Sequence, residues 1–466
     1  MDSKHRIGKV LAPLCVMLAA ASCSTDNTTS EVTPYCAVTQ VTLGTQKRVM
    51  HTTTASGADS TYTVSVSGSY YPMYIDQING LIYNGDSLPY GTDQAHIVLS
   101  RLDCEGVLAM RTASGQDSAF SISSSTSNPD SIDFTQPRTI VVYGYDGLNR
   151  KEYTMSVNVH QEDGEQFPWR SRGTLFELAD MRSMSAVSAA GALWVFGTRQ
   201  TDGLPYALQS ADDGASWTSI PLTGADSIDT RSVMAANDKF YALADSTLLR
   251  SDNGTAWAPV GSATPLSHLL CHAAGHLYAI SRGEFVCSTD GGATWQVESR
   301  DTDGSLPTGE AFGIAAESSL FNHIVTLTAG GTSGDSTVVW YKQVDTRQNT
   351  STPWTYMPRT NENPYTLPAL QSLQAVAYDG HIMAIGLTSE GLSPFYTSAD
   401  YGRTWINNEP YTTPERASAT GGVAMLCTDN HFVWLFCSGS GEMWRGRLNR
   451  LGWAENQTSF TRTARP

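Results

Sequence analysis

Ser288-Thr-Asp290-Gly-Gly292-Ala-Thr294-Trp295 decides the fold, because the chain writes it more than once. Ser398-Ala-Asp400-Tyr-Gly402-Arg-Thr404-Trp405 and Ser210-Ala-Asp212-Asp-Gly214-Ala-Ser216-Trp217 repeat it, and Arg250-Ser-Asp252-Asn-Gly254-Thr-Ala256-Trp257 is a weaker copy. The parts are those of a stapled hairpin. An Asp carboxylate accepts from backbone N–H groups of a turn, and Gly supplies a conformation that other residues avoid. The Thr or Ser hydroxyl adds a local bond, and Trp opens the next strand with a large apolar face that covers the turn.

The pattern resembles the Asp-box, or bacterial neuraminidase repeat. The copies at Ser288 and Ser398 match at every fixed position. That resemblance implies a β-propeller. It brings no activity, because the same box occurs in sialidases, other glycosidases, photosystem-assembly factors and receptor ectodomains.

Tryptophans at 217, 257, 295, 354, 405 and 453 set gaps of 40, 38, 59, 51 and 48 residues, the length of a four-stranded blade with its loops. Each interval opens with a run of small and apolar residues, then a turn and a second strand. The pairs are Ser183–Ser188 with Leu193–Gly197, Ser232–Ala236 with Phe240–Ala244, and His268–His272 with Leu277–Ser281. Phe312–Ala316 with Ile324–Thr328, Leu373–Tyr378 with Ile382–Gly386, and Gly422–Cys427 with Phe432–Phe436 complete six. Small residues suit inner strands that converge on an axis. Six blades are expected, with seven as the alternative. Trp169 stands where a box Trp would, so its segment is expected to pair with the last blade and remove the exposed strand edges.

Ahead of the repeats, residues 34–162 show short alternating runs between turns, the pattern of an antiparallel sandwich. The clearest hairpin is Thr139–Tyr143, a turn at Asp146-Gly147, then Tyr153, Met155, Val157 and Val159 on one face. This ending resembles the final strands of immunoglobulin-like or cadherin-like modules. Tyr70-Tyr-Pro-Met-Tyr-Ile75 and Leu81-Ile-Tyr83 are aromatic-rich and read mainly as core or spacer packing. The polar Gln161–Pro168 marks the boundary with a propeller over 163–466.

The first residues read as a leader. Lys4, Arg6 and Lys9 precede an apolar run too short to span a bilayer, which ends Ala20-Ala-Ser-Cys23. Small residues before Cys resemble a lipobox. That resemblance implies a signal peptide over 1–22, a lipid on Cys23 and a polar tether over 23–33. Asp26 resembles the acidic signal of Bacteroidetes-type surface lipoproteins. The whole chain looks like a family of such proteins with a β module and a propeller, which implies an exported outer-membrane lipoprotein at the cell surface.

A formal net charge of −16 opposes nucleic acid and anionic membranes, so contact with a membrane is expected through the lipid alone. Cys36 and Cys104 leave a pairing open, whereas Cys271, Cys287, Cys427 and Cys437 read as small buried apolar residues. No spacing suggests a metal or cofactor: the His residues lack a zinc pattern, and Asp212-Asp-Gly lacks the later Glu of a calcium loop.

For a ligand, Arg182, Arg231 and Arg416 open the innermost strands of the first, second and sixth repeats, which are neighbours in a closed ring. Three guanidinium groups at one mouth would bind a carboxylate bidentately, and the resemblance to sialidases implies such a trio for sialic acid. Tyr365 and Tyr411 lie in segments leading to that face, as do 300–310, 329–336 and 359–371. No Phe-Arg-Ile-Pro-type motif precedes the boxes, and the arginines have their own acids nearby in Asp180, Asp229 and Glu415. The sequence therefore favours a non-catalytic glycan or protein receptor. A glycoside hydrolase would need two carboxylates across a cleft, and a surface scaffold would need a broad apolar patch.

Overall fold

Runs of small and β-branched residues punctuated by Gly and Asp turns fold here as strands almost throughout. The computed structural model describes residues 33–54, 56–122, 131–224, 227–318, 320–358 and 363–453. The leader, Cys23 and most of the tether lie outside the described residues. The chain divides after Gln161 into two compact units.

The first unit holds a six-stranded sheet, a three-stranded sheet and a two-stranded hairpin. Arg138–Tyr143 pairs with Arg150–Met155 through the Asp146 turn, whose carboxylate accepts from the N–H groups of Leu148 and Asn149 at 3.0 Å. Tyr153 and Met155 point inward as the alternation requires, and Tyr153 accepts at its hydroxyl from the Val38 N–H at 3.1 Å, tying the two sheets together. The aromatic segments split. Tyr71 is buried, whereas Tyr74 and Tyr83 stack on each other at the surface of a hairpin (Met73–Asp76, Leu81–Asn84).

The second unit is a six-bladed β-propeller: six sheets of four or five strands follow one another. The innermost strands are Met181–Ala189, Ile228–Ala236, His268–Ala273, Ala311–Glu317, Gln371–Tyr378 and Ala419–Cys427. Each packs against the next, and the sixth against the first, so the array is a closed ring. Small residues are required where they meet: a Cβ on Gly313 would stand 2.3 Å from the Leu270 backbone of the preceding blade.

The core is a set of wedges between successive blades. In each, the outer-strand Trp of one blade lies on the blade before it. Trp257 packs on Phe196, Trp354 on Phe285, Trp405 on Phe312 and Trp217 on Trp434. Trp295 belongs to the cluster of Tyr241 and Leu248. The sixth member bears out the expected closure by the Trp169 segment and corrects the place given to Trp453 in the series. It is Trp169, stacked on Phe395 at 5.8 Å, and not Trp453. Trp169–Thr174 is the outer strand of the sixth blade, antiparallel to Glu442–Gly446, so the propeller's first strand closes its last sheet. Trp453 lies past that sheet, beside Gly164, donating to Glu162 at 2.9 Å.

The repeated turns form as their chemistry requires. At Asp290 the carboxylate accepts from Ser288 Oγ (2.8 Å), Thr294 N–H (2.9 Å) and Thr294 Oγ1 (2.6 Å). Asp212 and Asp400 bond the same positions of their turns, to Ser210 and Ser216 and to Ser398 and Thr404. Gly214, Gly254, Gly292 and Gly402 all have positive φ. The second blade differs. Its turn is one residue shorter between Ser251 and Trp257, so Asn253 takes the acceptor's place while Asp252 turns outward to Lys239. Residues 329–336 also depart from expectation: they continue a long hairpin, Ile324–Ser333 with Ser336–Asp345, and are not a free loop.

Candidate functional site

The six innermost strands surround a cavity of about 1000 Å³ lined by residues from every blade, from the strand starts in the second to fifth blades and from the strand ends in the first and sixth. Its walls carry apolar side chains such as Leu270, Phe312, Leu373 and Met425. The acidic and basic side chains of the lining, Asp229, Arg231, His268, Glu310 and Asp335, come from the second, third and fourth blades.

The local fold sets their positions. In the second blade the pairing of the innermost strand shifts between Asp229 and Met234, and Ser232 Oγ bridges the gap by donating to Asp229 O (2.6 Å) and accepting from Leu243 N–H (2.8 Å). The bulge turns Arg231 into the cavity lining. Its Nε lies 3.1 Å from Asp229 Oδ1, its Nη2 3.3 Å from Asp229 Oδ2, and its Nη1 3.4 Å from Glu310 Oε1. The bond to Asp229 holds the guanidinium above its ordinary pKa, and its side chain remains 50% exposed. Glu310 immediately precedes the fourth blade's innermost strand. Its N–H donates to Thr332 Oγ1 at 2.8 Å, which pins it to that blade. Between them stands His268 of the third blade, with Nε2 2.9 Å from Gly309 O and Nδ1 3.2 Å from Ser267 Oγ.

The structure does not assemble the three arginines. Of these, only Arg231 lines the cavity. Arg182 is exposed beside Gly203, in the turn between the second and third strands of the first blade. Arg416 is exposed in the turn ahead of the sixth innermost strand. Neither makes an ion pair among the described residues, so the expected locking of Arg182 to Asp180 and Arg416 to Glu415 is not what is seen either.

The two tyrosines also lie elsewhere. Tyr365 is exposed, and its carbonyl accepts from Trp405 N–H at 2.9 Å, which fastens its segment to the outer edge of the fifth blade. Tyr411 is buried between the fifth and sixth blades, where its hydroxyl donates to Asp379 at 2.6 Å. Burial first, then Asp379, pushes its phenol far above the ordinary range. Of 359–371, residues 359–362 lie outside the described residues.

Sequence reasoning missed Glu310 and His268 as individual residues. Their signal was position: each stands at the start of an innermost strand, as Arg231 does. Among the described residues no group of His, Cys, Asp or Glu side chains is arranged to hold a metal ion. The six described cysteines, Cys36 and Cys104 included, are free thiols. The Cys287 thiol is pushed up to about 12 by burial and then by Glu298, and Cys271 to about 12 by burial. No helix among the described residues is long and apolar enough to cross a membrane.

No curated protein matches the chain. Among solved structures, Trypanosoma rangeli sialidase in complex with 2,3-difluorosialic acid aligns with a TM-score of 0.35 and 11% identity, over 58% of this chain and 54% of that one. An arginine mutant of AofleA from Arthrobotrys oligospora aligns with a TM-score of 0.38 and 11% identity, over 63% and 89%. A GH62 hydrolase in complex with xylotriose aligns with a TM-score of 0.31 and 11% identity, over 61% and 98%. The chain spans about half the length of the sialidase it matches. Residues 163–456 match the model of the DUF6242 beta propeller domain and residues 41–157 that of the DUF6242 N-terminal domain, a domain of unknown function. Those two matches take in most of the chain, which therefore belongs to the DUF6242 family.

Proposed function

We propose that this protein is a non-catalytic glycan receptor, held at the cell surface by a lipid on Cys23 and carrying Asp-box turns in its propeller and an immunoglobulin-like N-terminal module. The observation that carries the binding site is the Asp229–Arg231–Glu310 bridge in the lining of a roughly 1000 Å³ cavity whose walls mix polar and apolar side chains. Planar, mutually oriented carboxylate and guanidinium groups offer fixed acceptors and donors to neighbouring sugar hydroxyls, and the walls offer apolar surface to ring C–H groups. Two carboxylates already meet the one arginine, so the site suits a neutral sugar better than an acidic one.

Both carboxylates accept from that guanidinium. A hydrolase sets two carboxylates facing each other across a cleft, whereas these two are drawn onto one guanidinium, which favours binding. The test displays the full chain on cells and screens a glycan array, with reducing ends assayed on every hit. Arg231→Ala and Glu310→Gln each lose a charge-assisted bond of about 1.5–3 kcal/mol, so affinity should fall roughly ten- to a hundredfold without turnover by the wild type. Cys23→Ala should release the protein from the cells with its affinity intact. Turnover abolished by Asp229→Asn or Glu310→Gln would establish the hydrolase instead.

A further inference from the structure

The sixth blade carries a second feature, away from the cavity, that the receptor reading does not use. Arg170 in Trp169–Thr174 stands directly opposite Arg445 in Glu442–Gly446, and Arg445 stands opposite Trp434 in Val433–Gly439. Directly opposed positions of antiparallel strands share a face, and two like charges so placed repel. The arrangement persists because aromatic rings separate most of the cations. Arg447 lies 4.2 Å from the Phe432 ring centroid and Arg445 lies 4.3 Å from the same ring. Arg445 is also 5.4 Å from Trp434, and Arg172 is 5.7 Å from Trp434. The contacts run Arg447, Phe432, Arg445, Trp434, Arg172: cations and rings in alternation.

Carboxylates do not balance this ladder. Among the described residues one acid pairs with it, Asp213 from the first blade's turn, which bonds Arg445. Arg172 donates to the Asp213 carbonyl at 3.3 Å and Arg447 to the Asn430 carbonyl at 3.1 Å, and both are neutral partners. Arg170 is exposed and makes no ion pair among the described residues. Asp212 is engaged within its own turn, and Asp429 pairs with none of the four.

We propose that this ladder is a binding site for an anionic polysaccharide carrying sulfate or carboxylate groups. Rings cover the guanidinium faces, and the N–H groups not already given to Asp213 or Asn430, with the exposed Arg170, remain for planar or tetrahedral oxyanions. Successive guanidinium groups are one ring apart, so a chain with charges at intervals engages more than one and gains from the multiplicity. The rest of the chain selects against broader polyanions. With a net charge of −16, a nucleic acid or an anionic bilayer that reached past the ladder would meet a repelling surface.

The test measures binding of the full chain at low and moderate salt. Heparin serves as the sulfated probe, polygalacturonate as the carboxylated one and single-stranded DNA as the polyphosphate control. The wild type should bind at least one polysaccharide in a salt-dependent way and DNA at least tenfold more weakly. Arg170→Ala with Arg447→Ala should lower polysaccharide affinity tenfold or more with an unchanged melting temperature. The Arg→Lys pair, which keeps charge but loses the fork, should lose at least threefold. Arg231→Ala should leave this binding untouched, which separates the ladder from the cavity. Equal binding by the double alanine variant and the wild type, no binding of either polysaccharide, or DNA binding as tight as theirs would each overturn the proposal.

Discussion

The third and fourth blades solve one problem in two ways. Both must fix an outer strand whose Trp lies on the preceding blade. The third does so locally: Ser288, Asp290 and Thr294 close the turn with short bonds, and Trp295 Nε1 donates to Gly292 O at 3.1 Å. The fourth has lost that turn. Its strands Ile324–Ser333 and Ser336–Asp345 are longer, and Trp354 is fully buried against Phe285 at 4.2 Å. In place of the staple stands an ion pair between Lys342 and Glu298 of the third blade, with Trp354 Nε1 donating to Glu298 Oε2 at 3.2 Å. The difference teaches that the ring conserves the position of the indole, and the means of fastening it is free to move from a turn to the seam between blades.

The seam is also where the comparison breaks most easily. Lys342 is 3% and Glu298 14% exposed, so removing one partner leaves a charge in a poorly solvated wedge. Lys342→Met should cost about 3–5 kcal/mol, a fall in melting temperature on the order of 10 °C. Lys342→Met combined with Glu298→Gln should recover much of it, because the stranded charge is gone. Differential scanning calorimetry of the full chain would show this in the propeller's transition. A single variant that melts with the wild type would mean that the pair fastens nothing.

Turn glycines sharpen the comparison at a smaller scale. All three positions considered need positive φ, but they differ in what a methyl group would meet. On Gly214 it would lie 2.2 Å from the ring of Trp434, a fully buried side chain with nowhere to go. On Gly292 it would lie 2.1 Å from Leu248 Cδ2, the end of a side chain that can rotate. On Gly254 its nearest neighbour is at 3.2 Å. Gly214→Ala should therefore cost most, about 2–3 kcal/mol. Gly292→Ala should cost less, and Gly254→Ala about 1 kcal/mol from the backbone alone. Urea midpoints in any other order would show that steric fit does not rank the turns.

Those turns also mark how far the sequence could be read. Their tryptophans and the small inner strands announced a six-membered ring, since spacing and composition record wedge geometry directly. The second blade misled because Ser251-Asp252-Asn253 offers two acceptors, and the missing residue shows only when the hydrogen bonds are traced. The mouth was harder. Pairing shifts interrupt the innermost strands between Arg182 and Ser185, Asp229 and Met234, and Ala419 and Val423. A strand's two-residue period tells where a side chain points only while pairing is regular, so it does not hold at Arg182 or Arg231, and Arg416 stands in the turn before its strand. Glu310 and His268 were legible as neighbours of strand starts, but that Glu310 reaches Arg231 two blades away depends on the geometry of the ring, which no local pattern encodes.

The smallest expected effect concerns acid. Hydrogen bonds lower both Asp212 and Asp290 from 3.8 to about 2, chiefly those from the hydroxyls of Ser216 and Thr294. A carboxyl whose folded pKa lies below its unfolded value binds protons more readily when unfolded. Its contribution to stability is complete above about pH 4 and is lost as the pH falls toward about 2. Asp290→Asn should therefore flatten part of the acid limb of the melting curve between those values and leave the neutral limb nearly parallel to the wild type. If Asp290→Asn leaves the acid slope unchanged, the staple's carboxylate carries no proton-linked stability and fastens its turn by geometry alone.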